Sequence, residues 1–271
     1  QSGILPHFTN YIMEAILTDG KEFTSLIGVV SLFDTTFNVQ CTTDGLKVFC
    51  LSSTKTSIAE FVLPPSYFES YNYTAQQPCI ELGVNTTVLL QILKGTTAKD
   101  KLQLLVKAQS SPDTLIVGIQ RTDRHIAYTI KLMSIAEDDT LEIPDMEPSV
   151  RIDLKSDVLK AFKKEIIDYT GSGMSIAPTR DSLVIQSTGN DGSVNMTVPE
   201  SEKMQVVVFN DPLPVTLGGH CITIASKLAD LSTDVILGWT NGTPAHFQVP
   251  LGHSGSLDIW FAPLLEDADM E

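Results

Sequence analysis

Lysines at helical spacing are the residues of this chain that could do the most specific chemistry. Lys160, Lys163 and Lys164 stand at positions i, i+3 and i+4, which puts three ammonium groups on one face of a helix. Lys94 and Lys227 each lie near the end of another predicted helix. Ammonium groups presented in this way bind phosphates electrostatically, without regard to base sequence. The alternative is that these lysines only solvate exposed helix faces.

The overall charge of the chain opposes a polyanionic partner. The 271 residues include 18 Lys and Arg against 33 Asp and Glu, a net charge of −15. An evenly spread negative charge would repel nucleic acid, so the distribution of the lysines decides whether such a partner is possible. No apolar run approaches the roughly 18 residues that a membrane span requires.

The residue types that bind metals or act as nucleophiles lack the necessary spacing. The four cysteines show neither C-x-x-C spacing nor histidines at ligand distance, and no histidine is paired with Ser or Cys in a nucleophile motif. Acidic residues concentrate in turns, in a central segment and in the tail, rather than at strand ends where two metal ions could be held. A Gly-rich phosphate loop is absent from the sequence. We therefore predict no catalytic residues, no metal and no cofactor.

The cysteines are predicted to be buried free thiols. An even number of cysteines together with four N-x-S/T sequons keeps a secreted, disulfide-bonded binding module open as an alternative. The sequons begin at Asn72, Asn85, Asn195 and Asn241. Asn85 is predicted to cap a helix, a position that a glycan would disrupt.

The elements that carry the lysines occur in two copies. Residues 36–53 and 171–187 each predict a strand, a turn with Asp followed by Gly or Ser, and an alternating strand that ends in Ser. A predicted helix precedes each of these segments, and a second helix followed by a strand pair comes later in each half. Two copies of one mixed unit, laid end to end, predict two domains of the same fold.

The predicted helices have defined ends and apolar stripes. Asp19 caps the first helix, with Glu22 at the capping-box position. Asn85 or Thr86 caps the second helix, which Gly95 ends. The inward-facing residues predicted by helical periodicity are, helix by helix, Phe23, Leu26, Ile27 and Val30; Val88, Leu89 and Ile92; Val158, Leu159, Phe162 and Ile166; and Ile222, Ile224 and Leu228.

The strands alternate between apolar and polar residues and are joined by short turns, which predicts antiparallel sheets. We predict a first domain over residues 1–131, an acid- and proline-rich connector over 132–149, and a second domain over 150–271 that ends in an acidic tail. The segments HIAYTIKL and DSLVIQST are predicted to be edge strands that pair with another chain.

Three segments of the chain resemble the DNA sliding clamps of the proliferating-cell-nuclear-antigen type. They are MEAILTDGKEFTSLI near the start, YTIKLMSIAEDDTLEIP at the connector and IWFAPLLED near the end. The resemblance implies an α+β, two-domain sliding-clamp fold of repeated units, with outer antiparallel sheets and inner helices. It also implies a ring of three subunits around double-stranded DNA.

Two further segments are more similar to the Rad-one subunit of the heterotrimeric DNA-damage checkpoint clamp: VNTTVLLQILKG and QSTGNDGSVNMTVPESEKM. This implies a non-catalytic nuclear protein of the checkpoint and of DNA repair. Its partners would be Rad-nine-like and Hus-one-like subunits, an ATP-driven clamp loader, and repair and checkpoint proteins. Exonuclease activity has been ascribed to this group, but the distribution of acidic residues does not support it.

The replicative clamp, a homotrimeric polymerase processivity factor, is the alternative within the same resemblance. Thr24, Ser25 and Ser31 stand where the first helix of that clamp is basic. A homotrimer of this chain would therefore have a weakly basic hole, whereas a heterotrimer can share the charge among unlike subunits.

The resemblance implies two functional surfaces. The DNA-facing residues would be Lys94, Lys160, Lys163, Lys164 and Lys227. The groove for partner peptides would be formed by Leu51, Leu141, Ile143, Pro244, Trp260 and Pro263, since apolar residues gathered from distant segments mark a recognition site. The alternative is that Leu51 and Ile143 are ordinary core residues.

Overall fold

The computed structural model describes residues 11–108, 112–135, 147–166, 173–189, 192–210 and 213–264, without the side chains of residues 163 and 166. The chain forms two compact units. The first comprises Gln1–Ser53, Ala59–Asp139 and Leu251–Leu257, and the second Thr54–Ile58, Thr140–Pro250 and Asp258–Glu271. The predicted domain boundaries stay predictions, because residues 136–146 of the connector and the acidic tail from residue 265 lie outside the described residues.

The chain contains the same series of elements twice: a strand, a helix, five strands, a helix and three strands. The first series is β1 (Tyr11–Leu17), α1 (Gly20–Val30), β2 (Thr36–Thr42), β3 (Gly45–Leu51), β4 (Ser57–Leu63), β5 (Ser70–Tyr73), β6 (Cys79–Asn85), α2 (Thr86–Leu93), β7 (Lys101–Lys107), β8 (Thr114–Gln120) and β9 (His125–Lys131). A 3₁₀ turn, Pro65–Tyr67, lies between β4 and β5.

The second series repeats this order: β10 (Val150–Lys155), α3 (Ser156–Ile166), β11 (Met174–Pro178), β12 (Ser182–Gly189), β13 (Gly192–Pro199), β14 (Met204–Phe209), β15 (Val215–Leu217), α4 (Gly219–Leu228), β16 (Asp234–Trp239), β17 (Ala245–Leu251) and β18 (Gly255–Phe261). None of the helices in the described residues has the length and apolar character that a membrane crossing requires.

The strand neighbours match between the two series. The order β5-β1-β7-β8-β9 corresponds to β14-β10-β16-β17-β18, and β4-β3-β2-β6 corresponds to β13-β12-β11-β15. The pairs with a defined register are antiparallel, as predicted. Because every element of one series has its counterpart at the same place in the other, the internal repeat is confirmed.

One of the two predictions of an edge strand is wrong. β9 pairs only with β8 among the described strands, so HIAYTIKL does lie at an edge. β12, which contains DSLVIQST, is instead a central strand: it pairs with β11 on one side and with β13 on the other. Its apolar alternation reflects burial of one face of the sheet, which does not distinguish a central strand from an edge strand. The edge belongs to β13, whose side chains are all exposed or half-exposed.

Helix α1 forms where predicted, although only half of its capping box closes. The Asp19 carboxylate accepts hydrogen bonds from the backbone N–H groups of Lys21 and Glu22, both at 2.9 Å. The Glu22 carboxylate lies instead beside the Tyr67 hydroxyl and the backbone of Gly252. Burial raises the pKa of Glu22, and its Oε1 atom has no hydrogen-bond partner among the described residues.

Helix α2 begins and ends as predicted but presents a different face to the core. Asn85 Oδ1 accepts a hydrogen bond from the Val88 N–H at 3.0 Å, and Gly95 with φ of 79° follows the last turn. The predicted burial of Val88 is wrong, since its side chain is 41% exposed, and Ile92 is only half-buried. Thr86 turns inward instead, where its hydroxyl donates to the Thr35 carbonyl at 2.8 Å.

The buried stripes of the other helices agree with the prediction. The predicted residues found buried are Phe23, Leu26, Ile27 and Val30 in α1, Val158, Leu159 and Phe162 in α3, and Ile222, Ile224 and Leu228 in α4. The side chain of Ile166 lies outside the description, and in α2 the buried apolar residues are Leu89 and Leu93. α1 packs against α2, and α3 packs against α4. Each helix pair therefore exposes the face opposite its apolar stripe.

The four cysteines are free thiols. Cys41, Cys50 and Cys221 are buried, as predicted, and Cys79 is half-buried. Burial raises the pKa of the Cys50 and Cys221 thiols to about 12, so both are protonated at neutral pH and pack as small apolar groups.

Replacing Asp19 with alanine removes the acceptor of two backbone N–H groups at the start of α1. We expect the free energy of unfolding to fall by about 1 kcal/mol, measured by urea denaturation followed by circular dichroism. Asp19→Asn retains the acceptor oxygen and should stay close to the unsubstituted protein. An equal loss in both variants would contradict a role for the cap hydrogen bonds.

The Glu22 carboxyl predicts a pH dependence of stability. Its pKa in the folded protein lies above the ordinary value of 4.5, so the folded state binds the proton more tightly and loses this stabilisation as the pH rises through the raised pKa. Glu22→Gln stays neutral. Relative to the unsubstituted protein, its free energy of unfolding should therefore increase between about pH 4 and about pH 7. A difference that does not change with pH, in urea titrations across this range, would contradict the assignment.

Candidate nucleic-acid interface

The exposed face of α3 carries lysines. Lys160 and Lys164 are exposed and stand one turn apart on the face opposite Leu159 and Phe162, which are buried. Lys164 Nζ lies 3.7 Å from Glu165 Oε1, and both side chains are more than half exposed. Such a pair is weak, so Lys164 remains able to contact another anion. The side chain of Lys163 lies outside the described residues.

The lysines of α2 and α4 occupy the carboxyl ends of their helices. Lys227 is exposed in the last turn of α4, and Lys94 is the exposed C-cap residue of α2. The partial negative charge at a helix carboxyl end stabilises a cation there. Both ammonium groups are exposed and take part in no ion pair among the described residues.

The middle of the exposed face of the first helix pair is uncharged. Thr24 and Ser31 are half-exposed, and their hydroxyls donate to the carbonyls of Gly20 and Gly28 in the same helix, at 2.7 and 2.8 Å. In α2 the exposed residues before the cap include Val88 and Gln91. The two helix pairs therefore differ in charge: α3 carries lysines along its exposed face, whereas α1, α2 and α4 carry them only near their ends.

Two exposed lysines, Lys21 and Lys99, belong to the same end of the first helix pair and are missing from the predicted set. Lys21 follows Gly20, whose N–H donates to the Asp100 carbonyl at 3.1 Å, and Lys99 immediately precedes Asp100. The sequence contains no spacing signal for this proximity, because the two segments lie about eighty residues apart and are brought together only by the tertiary fold.

The predicted groove residues are distributed over both units. Leu51, at the end of β3, is half-buried and lies in the first unit. In the second unit, Pro244 is exposed, while Trp260 and Pro263 are half-buried. Leu141 and Ile143 lie outside the described residues. The groove therefore stays a prediction.

Trp260 belongs to a polar cluster that the sequence did not indicate. Its indole stacks on the His246 ring, with centroids 4.7 Å apart and an angle of 7° between the planes. His246 Nε2 lies 2.8 Å from Asp258 Oδ1, and Gln248 Nε2 donates to the same oxygen at 2.9 Å. Because Asp258 is buried, these hydrogen bonds determine how the histidine ring lies against the indole. Within the described residues no group of three or more His, Cys, Asp or Glu could hold a metal ion.

Asp258→Ala leaves the side-chain donors of His246 and Gln248 without their shared acceptor. The free energy of unfolding should fall by about 1–3 kcal/mol, and the fluorescence of Trp260 should change as the stacked histidine is released. Asp258→Asn keeps an acceptor oxygen and is the matched control, measured by urea denaturation with tryptophan fluorescence. Equal effects of the two substitutions would contradict this account.

A family model described as "Repair protein Rad1/Rec1/Rad17" matches residues 12–226. The chain belongs to this family. Membership makes it a clamp-type DNA protein related to DNA repair. Clamps of this kind are scaffolds without catalytic activity, which confirms the prediction that the protein is not an enzyme.

Sliding clamps are also among the relatives of the chain. It is 23% identical over 264 residues to the proliferating cell nuclear antigen of Chaetomium thermophilum, covering 94% of this chain and 99% of that one. It is 21% identical over 255 residues to the DNA polymerase sliding clamp of Thermococcus sibiricus, and this match covers 94% of this chain and 99% of that one.

A solved structure, the proliferating cellular nuclear antigen of Entamoeba histolytica, matches with a TM-score of 0.85 at 20% identity. The match covers 94% of this chain and 100% of that chain. The predicted two-domain α+β sliding-clamp fold is therefore confirmed.

Proposed function

We propose that this protein is a non-catalytic subunit of a ring-shaped DNA clamp, built with two unlike clamp subunits of the Rad-nine and Hus-one kind. In this proposal the ring encircles duplex DNA in the nucleus and serves as a docking platform in the DNA-damage checkpoint and in repair. The observation that carries the proposal is the unequal charge of the two helix pairs, in a chain that belongs to the Rad1/Rec1/Rad17 family.

The charge argument concerns how DNA would be held. Lys94, Lys160, Lys163, Lys164 and Lys227 would contact phosphates, whereas the middle of the first helix pair would contribute no charge. Three identical copies would repeat the uncharged face three times around the hole, but unlike subunits can supply cations where this one lacks them. Few phosphate contacts suffice when the DNA is encircled. The closed ring then retains the DNA topologically, so strong electrostatic affinity is not needed.

Two edge strands supply surfaces for ring closure. β9 and β13 each have one neighbour among the described strands, so each has a row of backbone N–H and C=O groups that can accept a strand of another subunit. The middle of β9 is exposed at Ala127, Tyr128 and Thr129. These edges fit an assembly with other clamp subunits, opened and closed on DNA by an ATP-driven loader. Repair and checkpoint proteins would dock in the groove that contains Trp260 and Pro263.

A homotrimeric replicative sliding clamp is the second candidate function. It is favoured by the names of the relatives, which are proliferating cell nuclear antigens and DNA polymerase sliding clamps matched over 94% of this chain. In that case β9 of one copy would pair with β13 of the next.

The mass of the purified protein in solution separates the two functions. Light scattering at micromolar concentration should give a monomer near 29.5 kDa if the ring requires unlike subunits. A stable trimer, three times this mass, would contradict the heterotrimer and favour the replicative clamp.

The ring itself is tested on DNA. The heterotrimer obtained by co-expression with Rad-nine-like and Hus-one-like subunits, once loaded, should stay on closed circular DNA and leave when the circle is cut. Equal loss from circular and linear DNA would contradict encirclement.

A further inference from the structure

A second group of basic residues lies at one end of the first unit, where the start of α1, the loop after α2 and the end of β8 converge. The Gly20 N–H donates to the Asp100 carbonyl at 3.1 Å, and Arg121 Nη2 donates to the Gly95 carbonyl at 3.4 Å. A Cβ on Gly20 would lie 2.3 Å from Thr96 Cγ2. The start of α1 and the loop after α2 are therefore in direct backbone contact, and the Arg121 side chain joins the end of β8 to the same loop.

Each of these contacts has a lysine next to it in the sequence. Lys21 follows Gly20, Lys94 precedes Gly95 and Lys99 precedes Asp100, and all three lysines are exposed. With Arg121, whose side chain is 24% exposed, they form what we call the rim cluster: Lys21, Lys94, Lys99 and Arg121.

The acidic groups near the rim lysines lie in other contacts. The Glu22 carboxylate, next to Lys21 in the sequence, is half-buried beside Tyr67 and the backbone of Gly252. Asp19 caps α1. Asp100 accepts a hydrogen bond from the Thr97 N–H at 2.8 Å and lies 3.8 Å from Arg121 Nε. Glu69, across the sheet, is paired with Lys101 at 2.6 Å. In the part of the chain that the structure describes, none of the three rim lysines takes part in an ion pair.

Three exposed lysines without an ion pair among the described residues therefore lie at this end of the unit, in a chain with a net charge of −15. Like charges brought together repel each other, and a bound anion relieves this repulsion. The exposed donors are ammonium groups, which act as point charges on phosphates, whereas bidentate recognition of planar carboxylates is typical of arginine. The arginine of the cluster is mostly covered and holds the loop instead.

We propose that the rim cluster binds the sugar–phosphate backbone of DNA. This extends the proposed function, on whose DNA ligand it rests, by adding Lys21 and Lys99 to the phosphate contact already proposed for Lys94 of the same unit. Contacts of this kind fix the position of the DNA and do not distinguish base sequences.

Salt-dependent binding to a short fluorescein-labelled duplex tests the rim cluster. The full chain and the double variant Lys21→Gln/Lys99→Gln are titrated by fluorescence anisotropy at several KCl concentrations. Both side chains are exposed and without ion pairs, so the variant should fold normally. Removal of two phosphate contacts should reduce the slope of log K against log salt by about 1.8.

The matched control is Lys107→Gln/Lys55→Gln, which removes the same charge from two exposed lysines. Lys107 lies at the far end of β7, roughly 20 Å along the strand from Lys101. The control should keep most of the slope. An equal change in both double variants, or no duplex binding by the unsubstituted chain at low salt, would overturn the proposal.

Two further measurements separate this inference from the proposed function. If Lys160→Gln/Lys164→Gln lowers the slope while the rim variant does not, the rim proposal fails and the DNA-facing helices stand. If the rim variant loses binding to a poly-glutamate peptide but not to DNA, the cluster binds acidic protein segments and the proposal is overturned. A reduced slope of log K against log salt in the rim variant supports the rim-cluster proposal, whatever the oligomeric state of the chain.

Discussion

Burial of the apolar helix faces is the interaction on which the rest of this structure depends. In α1 and α4 almost every apolar side chain is buried, and each fully buried Leu, Ile or Phe contributes about 1.5–3 kcal/mol. Because the helices in each pair also pack against each other, their rotation about their own axes is restricted. The residues on the opposite faces are thereby held in position without contributing to the core, and these are the residues available for function.

Close backbone contacts restrain the segments between these elements. Met133, just after β9, donates its N–H to the Gly83 carbonyl at 2.9 Å, and a Cβ on Gly83 would lie 2.1 Å from the Met133 oxygen. The chain leaving β9 therefore lies directly on β6, which is possible only because residue 83 has no side chain. At Gly20 the same kind of approach brings the loop after α2 against the start of α1. Both contacts restrict regions that the proposed function uses.

The distribution of charge in the chain follows from the separation between the buried and the exposed faces of the helices. Acidic residues outnumber basic ones almost two to one, yet cations are concentrated along the exposed face of α3 and at the ends of α2 and α4. Repulsion by the surrounding negative charge limits non-specific binding, and the local lysines act over distances of about one Debye length, roughly 8–10 Å. Such an arrangement suits a protein that holds DNA by enclosing it. Weak contacts are then sufficient, and stronger ones would slow movement along the duplex.

The sequence by itself determined the internal repeat, the four helices with their caps at Asp19 and Asn85, and most of the buried stripes. These features depend on local spacing and on hydrogen bonds between residues close in sequence. It did not determine that β13 rather than β12 is an edge, because strand order depends on pairing between distant segments. Nor did it predict the outward position of Val88, the orientation of Glu22 away from its own helix, or the hydrogen bonds of His246 with Asp258. Each of these was decided by tertiary contacts, in which a neighbouring segment offers a side chain a partner or a space that its own element does not.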